Sequence, residues 1–101
     1  MAYKVSHEAR NDIFEIGRYT QEKWGKKQRQ TYLSGLEETF QFLAENPLSN
    51  RERTEFSPSV RIHSHEKHLI VYLSGSAHIL IVRVLHESMD VKRQLNEDGR
   101  A

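Results

Sequence analysis

The sequence predicts an α+β domain of element order β-α-α-β-β-β, a small, mainly antiparallel sheet with an N-terminal helical hairpin packed on one face. Two observations carry that prediction. Apolar residues recur at three- and four-residue steps through the first half of the chain and at strand spacing through the second. Turn signals fall where those patterns change, at Gly25, Asn46-Pro47, Glu66-Lys67 and Ser74-Gly75-Ser76. A chain of 101 residues supports one hydrophobic core, so residues 1–95 are read as one domain. Residues 96–101 have nothing to bury and are read as a disordered tail.

Tyr3 and Val5 flank Lys4 in an edge-like opening strand, and Ser6 offers its hydroxyl as the N-cap of the first helix, with Glu8 in its favourable first turn. Ala9, Ile13, Ile16, Thr20 and Trp24 then share one helical face, and the helix is expected to end near Gly25. Tyr32, Leu36, Phe40 and Leu43 form the stripe of a second helix, with Leu33 and Ala44 beside it. It must stop at Asn46, because proline pushes the residue before it out of the helical region. Gly17 and Gly35 lie at nearly equal depth on either side of the hairpin break. Each costs about 1 kcal/mol relative to alanine inside a helix, which suggests a close approach of the two backbones there. The alternative is two tolerated glycines.

Leu48 to Ser59 is polar, contains Pro58 and reads as a loop. Beyond it, Val60 and Ile62 alternate with Arg61 and His63. Leu69 to Leu73 is an uninterrupted apolar strand of the kind buried on both faces, and His78 to Leu85 is a further strand rich in Ile and Val. These three strands form a meander.

Composition narrows the function classes. No cysteine is present, which removes disulfides and thiolate metal sites and fits a reducing cytoplasm. The opening Met1-Ala2-Tyr3-Lys4-Val5 builds no signal-peptide region, and the run Leu69 to Leu73 is far short of the roughly 20 residues that span a bilayer as a helix. A cytoplasmic protein without membrane contact is expected. The formal charge of +1 is weak for a protein that neutralises many phosphates, so neither general nor sequence-specific DNA binding is indicated. The charge is uneven, however: Lys23, Lys26, Lys27 and Arg29 crowd the start of the second helix, where cations oppose the helix dipole. That patch is either a solvated corner or a contact for a negatively charged partner.

Few residues invite chemistry. His63 and His65 share a strand face near Glu66 and His68, yet solvated histidines commonly line such a turn, and neither a metal nor any other cofactor is expected. Nucleophile elbows and glycine-rich phosphate loops are absent from the sequence. General acid-base work on RNA remains, for which Arg61, Arg83 and His86 supply the residue types if their strands share an open face. Against that, an arginine on an apolar strand often snorkels to water or pairs with a carboxylate.

Four segments together resemble the ParE branch of the RelE/ParE toxin superfamily, over about nine-tenths of the chain: Ala9 with Asp12 and Ile13-x-x-Ile16; the Trp24-Gly25-x-x-Gln28 corner; Leu36-x-x-x-Phe40-x-x-Leu43-Ala44-x-x-Pro47; and Arg83-Val84-Leu85-His86-x-x-Met89-Asp90. The resemblance implies a toxin of a type II toxin-antitoxin system that inhibits DNA gyrase by direct binding. Its antitoxin would be ParD-like, with a ribbon-helix-helix half and a flexible segment that wraps the toxin. On that reading the target-binding candidates are Arg83, His86, Met89 and Asp90, although Met89 and Asp90 also suit packing and capping. The sister branch, similar to RelE, cuts mRNA on the ribosome. It is usually more basic than this chain, and Arg61, Arg83 and His86 keep it in play.

Overall fold

The computed structural model describes residues 2–97. Its order is β1 (Ala2–Val5), α1 (His7–Trp24), α2 (Lys26–Glu45), β2 (Glu52–Arg53), β3 (Val60–His65), β4 (His68–Ser74), β5 (His78–His86) and α3 (Val91–Glu97). The α+β class, the hairpin and the three-strand meander stand as expected. The sheet has five strands in the order β1-β5-β4-β3-β2. β1 lies parallel to β5 and every other pairing is antiparallel.

Local chemistry sets the helix ends. The Ser6 hydroxyl accepts from the Ala9 N–H at 3.0 Å, which caps α1. Gly25, with φ of 96°, makes the turn that most side chains resist. Its N–H donates to the Gln21 carbonyl at 2.9 Å and its own carbonyl accepts from Arg29 at 3.1 Å, so the glycine closes α1 and opens α2 at once. At the far end of α2 the Asn46 side chain donates to the Phe42 carbonyl at 3.0 Å.

Two cores sandwich the sheet. The hairpin side buries Ala9, Leu36, Phe40, Leu43 and Ala44 against Ile70, Tyr72, Ile79, Ile81 and Val84. The other side buries Val60, Val71, Val82, Leu85 and Leu95, flanked by Phe56, Leu73 and Val91. This second core explains why the β4 run is apolar on both faces. The hairpin lies on one face, as expected, and α3 and the loop around Phe56 cover the other. Between them lies a cavity of about 280 Å³, lined by Phe56, Pro58, Val60, Leu73, Val82 and Leu95.

Further expectations change. The segment 48–59 holds the two-residue strand β2, which pairs Glu52 with Arg61 and Arg53 with Val60. Asn96 and Glu97 of the expected tail belong to α3; the rest of it, 98–101, lies outside the described residues. Trp24 is not part of the inner helix face but is 66% exposed, because it stands at the hairpin end where every residue from Glu22 to Gln28 is exposed. The two helix glycines do not face each other. Gly17 admits Arg29 and Leu33 of α2, whereas Gly35 faces the His65 ring on β3.

Candidate functional site

The geometry around the end of β5 starts from a bulge. Val71 pairs with Arg83 while its neighbour Tyr72 pairs with Ile81, leaving Val82 as an extra residue. The bulge shifts the strand's phase. Ile79, Ile81 and Val84 therefore share the hairpin core, and Val82 and Leu85 go to the other core.

Just past the bulge, β1 has ended and the outer edge of β5 lacks a strand partner. Two residues, Ser6 just after β1 and Asp12 in α1, replace it through backbone and side-chain bonds. The Ser6 N–H donates to the Ile81 carbonyl at 2.9 Å and its hydroxyl donates to the Val82 carbonyl at 2.8 Å. The Asp12 carboxylate accepts from the Val84 N–H at 3.0 Å, from Arg83 Nε at 2.7 Å and from Arg83 Nη2 at 2.9 Å. This forked pairing is the strong geometry for a guanidinium and a carboxylate. Both side chains are largely covered, at 12% and 15% exposure. The Asp12–Arg83 latch thus ties α1 to the sheet and finishes the strand edge.

Beyond the latch, the Ser88 N–H donates to His86 Nδ1 at 3.1 Å, which makes that nitrogen an acceptor and places the ring proton on Nε2. Asp90 caps α3: its carboxylate accepts from the Arg93 N–H at 3.3 Å and its carbonyl from Gln94 at 3.0 Å. Met89 is 45% exposed at the same turn. Of the four target-binding candidates, Arg83 and Asp90 carry clear structural work, while His86 and Met89 present accessible surface.

A row of histidines runs from this corner beneath α2. The His68 and His86 rings meet edge to face with centroids 5.5 Å apart, and Tyr32 of α2 sits edge-on to both His65 and His68. Burial, with a smaller contribution from Glu66, pushes the Tyr32 hydroxyl up to about 12. The Tyr32 hydroxyl and His68 Nδ1 share a hydrogen bond of 2.5 Å. Burial is also the main reason that His68 is held below the ordinary imidazole value; His86 and His65 act the same way, and Glu87 and Asp12 oppose them. His63 is lowered too, by burial and then by His65. Asn50 donates to its Nδ1 at 3.0 Å. The Thr39 hydroxyl donates to the Gly35 carbonyl at 2.9 Å and so accepts from His65 Nδ1 at 3.0 Å. His65 Nε2 is left buried without a hydrogen-bond partner, facing the bare α-carbon of Gly35. Among the described residues no three His, Cys, Asp or Glu side chains form a group able to hold a metal ion.

The expected set of Arg61, Arg83 and His86 is not assembled on an open sheet face. Arg61 turns to the loop after α2, where Nη1 donates to the Asn50 carbonyl, and the adjacent Tyr72 hydroxyl donates to the Pro47 carbonyl at 3.0 Å. Arg83 bonds at the opposite edge, with β4 lying between β3 and β5. Sequence reasoning missed Asp12 as the partner of Arg83. The available signal was an acid set beside Ile13 at the margin of an apolar helix stripe. The basic patch also divides: Lys23, Lys26 and Lys27 are exposed, while Arg29 folds back to donate from Nη1 to the Gln21 side chain at 2.7 Å.

This small α+β fold, a helical hairpin latched to a mixed sheet, is of the kind used by toxins of toxin-antitoxin pairs. Residues 3–91 match the family described as ParE toxin of type II toxin-antitoxin system, parDE, and the chain belongs to that family. It is 36% identical over 94 residues to Toxin ParE1 of Mycobacterium tuberculosis, covering 92% of this chain and 96% of that protein. It is 33% identical over 95 residues to Toxin ParE of Escherichia coli, covering 93% and 92%. Toxin ParE1 of Caulobacter vibrioides is 29% identical over 93 residues, covering 92% and 96%. A solved chain described as chromosomal ParDE TA system from P. aeruginosa shares the fold, with a TM-score of 0.71 at 19% identity, over 85% of this chain and 95% of that one.

Proposed function

We propose that this ParE-family toxin acts by binding DNA gyrase without chemistry of its own, and that a ParD-like antitoxin in the same cytoplasm neutralises it. The observation that carries the reading is the Asp12–Arg83 latch. An arginine that finishes a strand edge through a forked ion pair is engaged structurally, which removes the central cation from the nuclease set. Arg61 is occupied at Asn50 as well. What the C-terminal corner offers a target is the surface of His86 and Met89 on the turn before α3.

An antitoxin segment that orders on binding needs apolar surface to cover. The cavity beside α3 and the exposed Phe14, Phe42 and Leu48 are candidate anchor points for it.

The test uses purified gyrase, plasmid DNA and the toxin. Accumulation of cleaved, gyrase-linked DNA, or loss of supercoiling, is the expected result. Unaltered gyrase at saturating toxin, together with new cuts in translated mRNA by primer extension, would replace this reading with the RelE-like ribonuclease.

A further inference from the structure

We propose that the tip of the helical hairpin, formed by Tyr19, Lys23, Trp24, Lys26 and Lys27, is a contact surface for single-stranded nucleic acid, its lysines meeting phosphates and its rings stacking on unpaired bases. The tip is fully presented. Every residue from Glu22 to Gln28 is exposed, and Tyr19 and Trp24 are 59% and 66% exposed. The Lys23 ammonium lies 5.7 Å from the Tyr19 ring centre, so cation and aromatic face are side by side.

Among the described residues, none of the three lysines has a carboxylate partner. The acid on the tip, Glu22, pairs instead with Arg18 at 3.2 Å, and Arg18 is shared with Glu15. The tip is therefore cationic because its nearby negative charge is neutralised elsewhere. Folding accounts for only part of this. Lys23 stands in the last turn of α1, where a cation is favoured, but Lys26 and Lys27 occupy the first turn of α2, where each costs a few tenths of a kcal/mol. Trp24 contributes little to either core at its exposure.

The composition points to nucleic acid rather than a protein partner. Between Ile16 and Leu33 there is no Ala, Val, Leu, Ile or Met; apart from Gly17, Gly25, Thr20, Thr31 and the single acid Glu22, the segment is Lys, Arg, Gln and aromatic side chains. Protein interfaces deplete lysine at their centres, whereas nucleic-acid interfaces are strongly cationic, and alternating cations and rings are the usual platform for an unpaired strand. The net charge of +1 still does not favour general polyanion affinity. Binding should be local, modest and sensitive to salt.

The inference needs no gyrase and is tested without it. The intact toxin is titrated into a short, dye-labelled, mixed-sequence single strand and anisotropy is followed across a salt series. Binding is expected at low salt. Its log-log salt slope should be near about −2, from about −0.7 per phosphate for three lysines. Lys26→Glu with Lys27→Glu should weaken binding by about tenfold or more, and Trp24→Ala by about tenfold. The equal charge change at exposed positions off the tip, Lys4→Glu with Lys67→Glu, should leave affinity within about twofold. Absence of binding at low salt, equal loss in the two charge-reversal variants, an unaltered Trp24→Ala, or better competition by poly-glutamate than by unlabelled strand would overturn the proposal.

Discussion

Two cationic regions of this molecule have opposite designs. At the end of β5, Arg83 is largely covered and held in a fork by Asp12, which also accepts from the Val84 backbone. At the hairpin tip, Lys23, Lys26 and Lys27 stand exposed, with no carboxylate paired to them among the described residues. The difference separates charges that hold the fold from charges left available to a partner. Both regions attract attention in the sequence for the same reason, and the fold divides them by where it places the nearest carboxylate.

The largest expected effect lies on the partnered side. Asp12→Ala takes the forked carboxylate from a covered guanidinium and the acceptor from the Val84 N–H, a change of about 3 kcal/mol by analogy with broken buried pairs. In a domain of this size that lowers the melting temperature by about 12 to 24 °C, which circular dichroism would read. A fall of under about 3 °C would dissolve the contrast between latch and tip. Ser6→Ala comes next, since it removes the α1 cap and the bond to the Val82 carbonyl together; about 1 to 2 kcal/mol is expected in a urea titration.

The histidine row gives a pH signature of intermediate size. His68 and His63 both lie below the ordinary 6.5 in the folded chain. The unfolded chain therefore takes up more protons as the pH falls below about 6.5, and stability is lost from there down to the lowered folded-state values, below which these groups add no further loss. His68 faces Tyr32, His65 and His86, with Glu87 and Asp12 as the opposing carboxylates. Urea midpoints should be lower at about pH 5 than at neutrality. A Tyr32→Phe, His68→Phe double variant, which keeps the ring packing, should flatten that dependence in part. An unchanged slope would remove His68 from the account.

The smallest effect belongs to the tip. Lys26→Glu with Lys27→Glu should alter stability by only a few tenths of a kcal/mol, in the stabilising direction, because acids suit the first turn of α2. A large loss in thermal melting would show that the lysines support the fold after all.

Much of the fold was legible because its longest elements are strongly periodic. Leu36, Phe40 and Leu43 repeat at helix spacing and Leu69 to Leu73 is apolar throughout, so α2 and β4 announce themselves. The elements that were missed carry too few residues to show a period: β2 has two, and α3 presents chiefly Val91 and Leu95 one turn apart. The bulge at Val82 was silent, since Ile79, Ile81, Arg83 and Leu85 read as simple alternation. The latch was hidden for a different reason. Asp12 and Arg83 are 71 positions apart, and no local pattern ties one to the other. Arg83 was therefore found as a candidate while its role was not. Gly35 was noticed as well, but its neighbour is a histidine of β3 rather than the other helix.

The central claim is that this ParE-family toxin disables its target by occupying it. The most direct measurement is residual supercoiling by purified gyrase against the molar ratio of toxin to gyrase. Inhibition that sets in only as toxin approaches equivalence, and is relieved by the cognate antitoxin, is the predicted result. Either undiminished supercoiling at a large excess of toxin, or complete inhibition by a small fraction of an equivalent through repeated turnover, would contradict it.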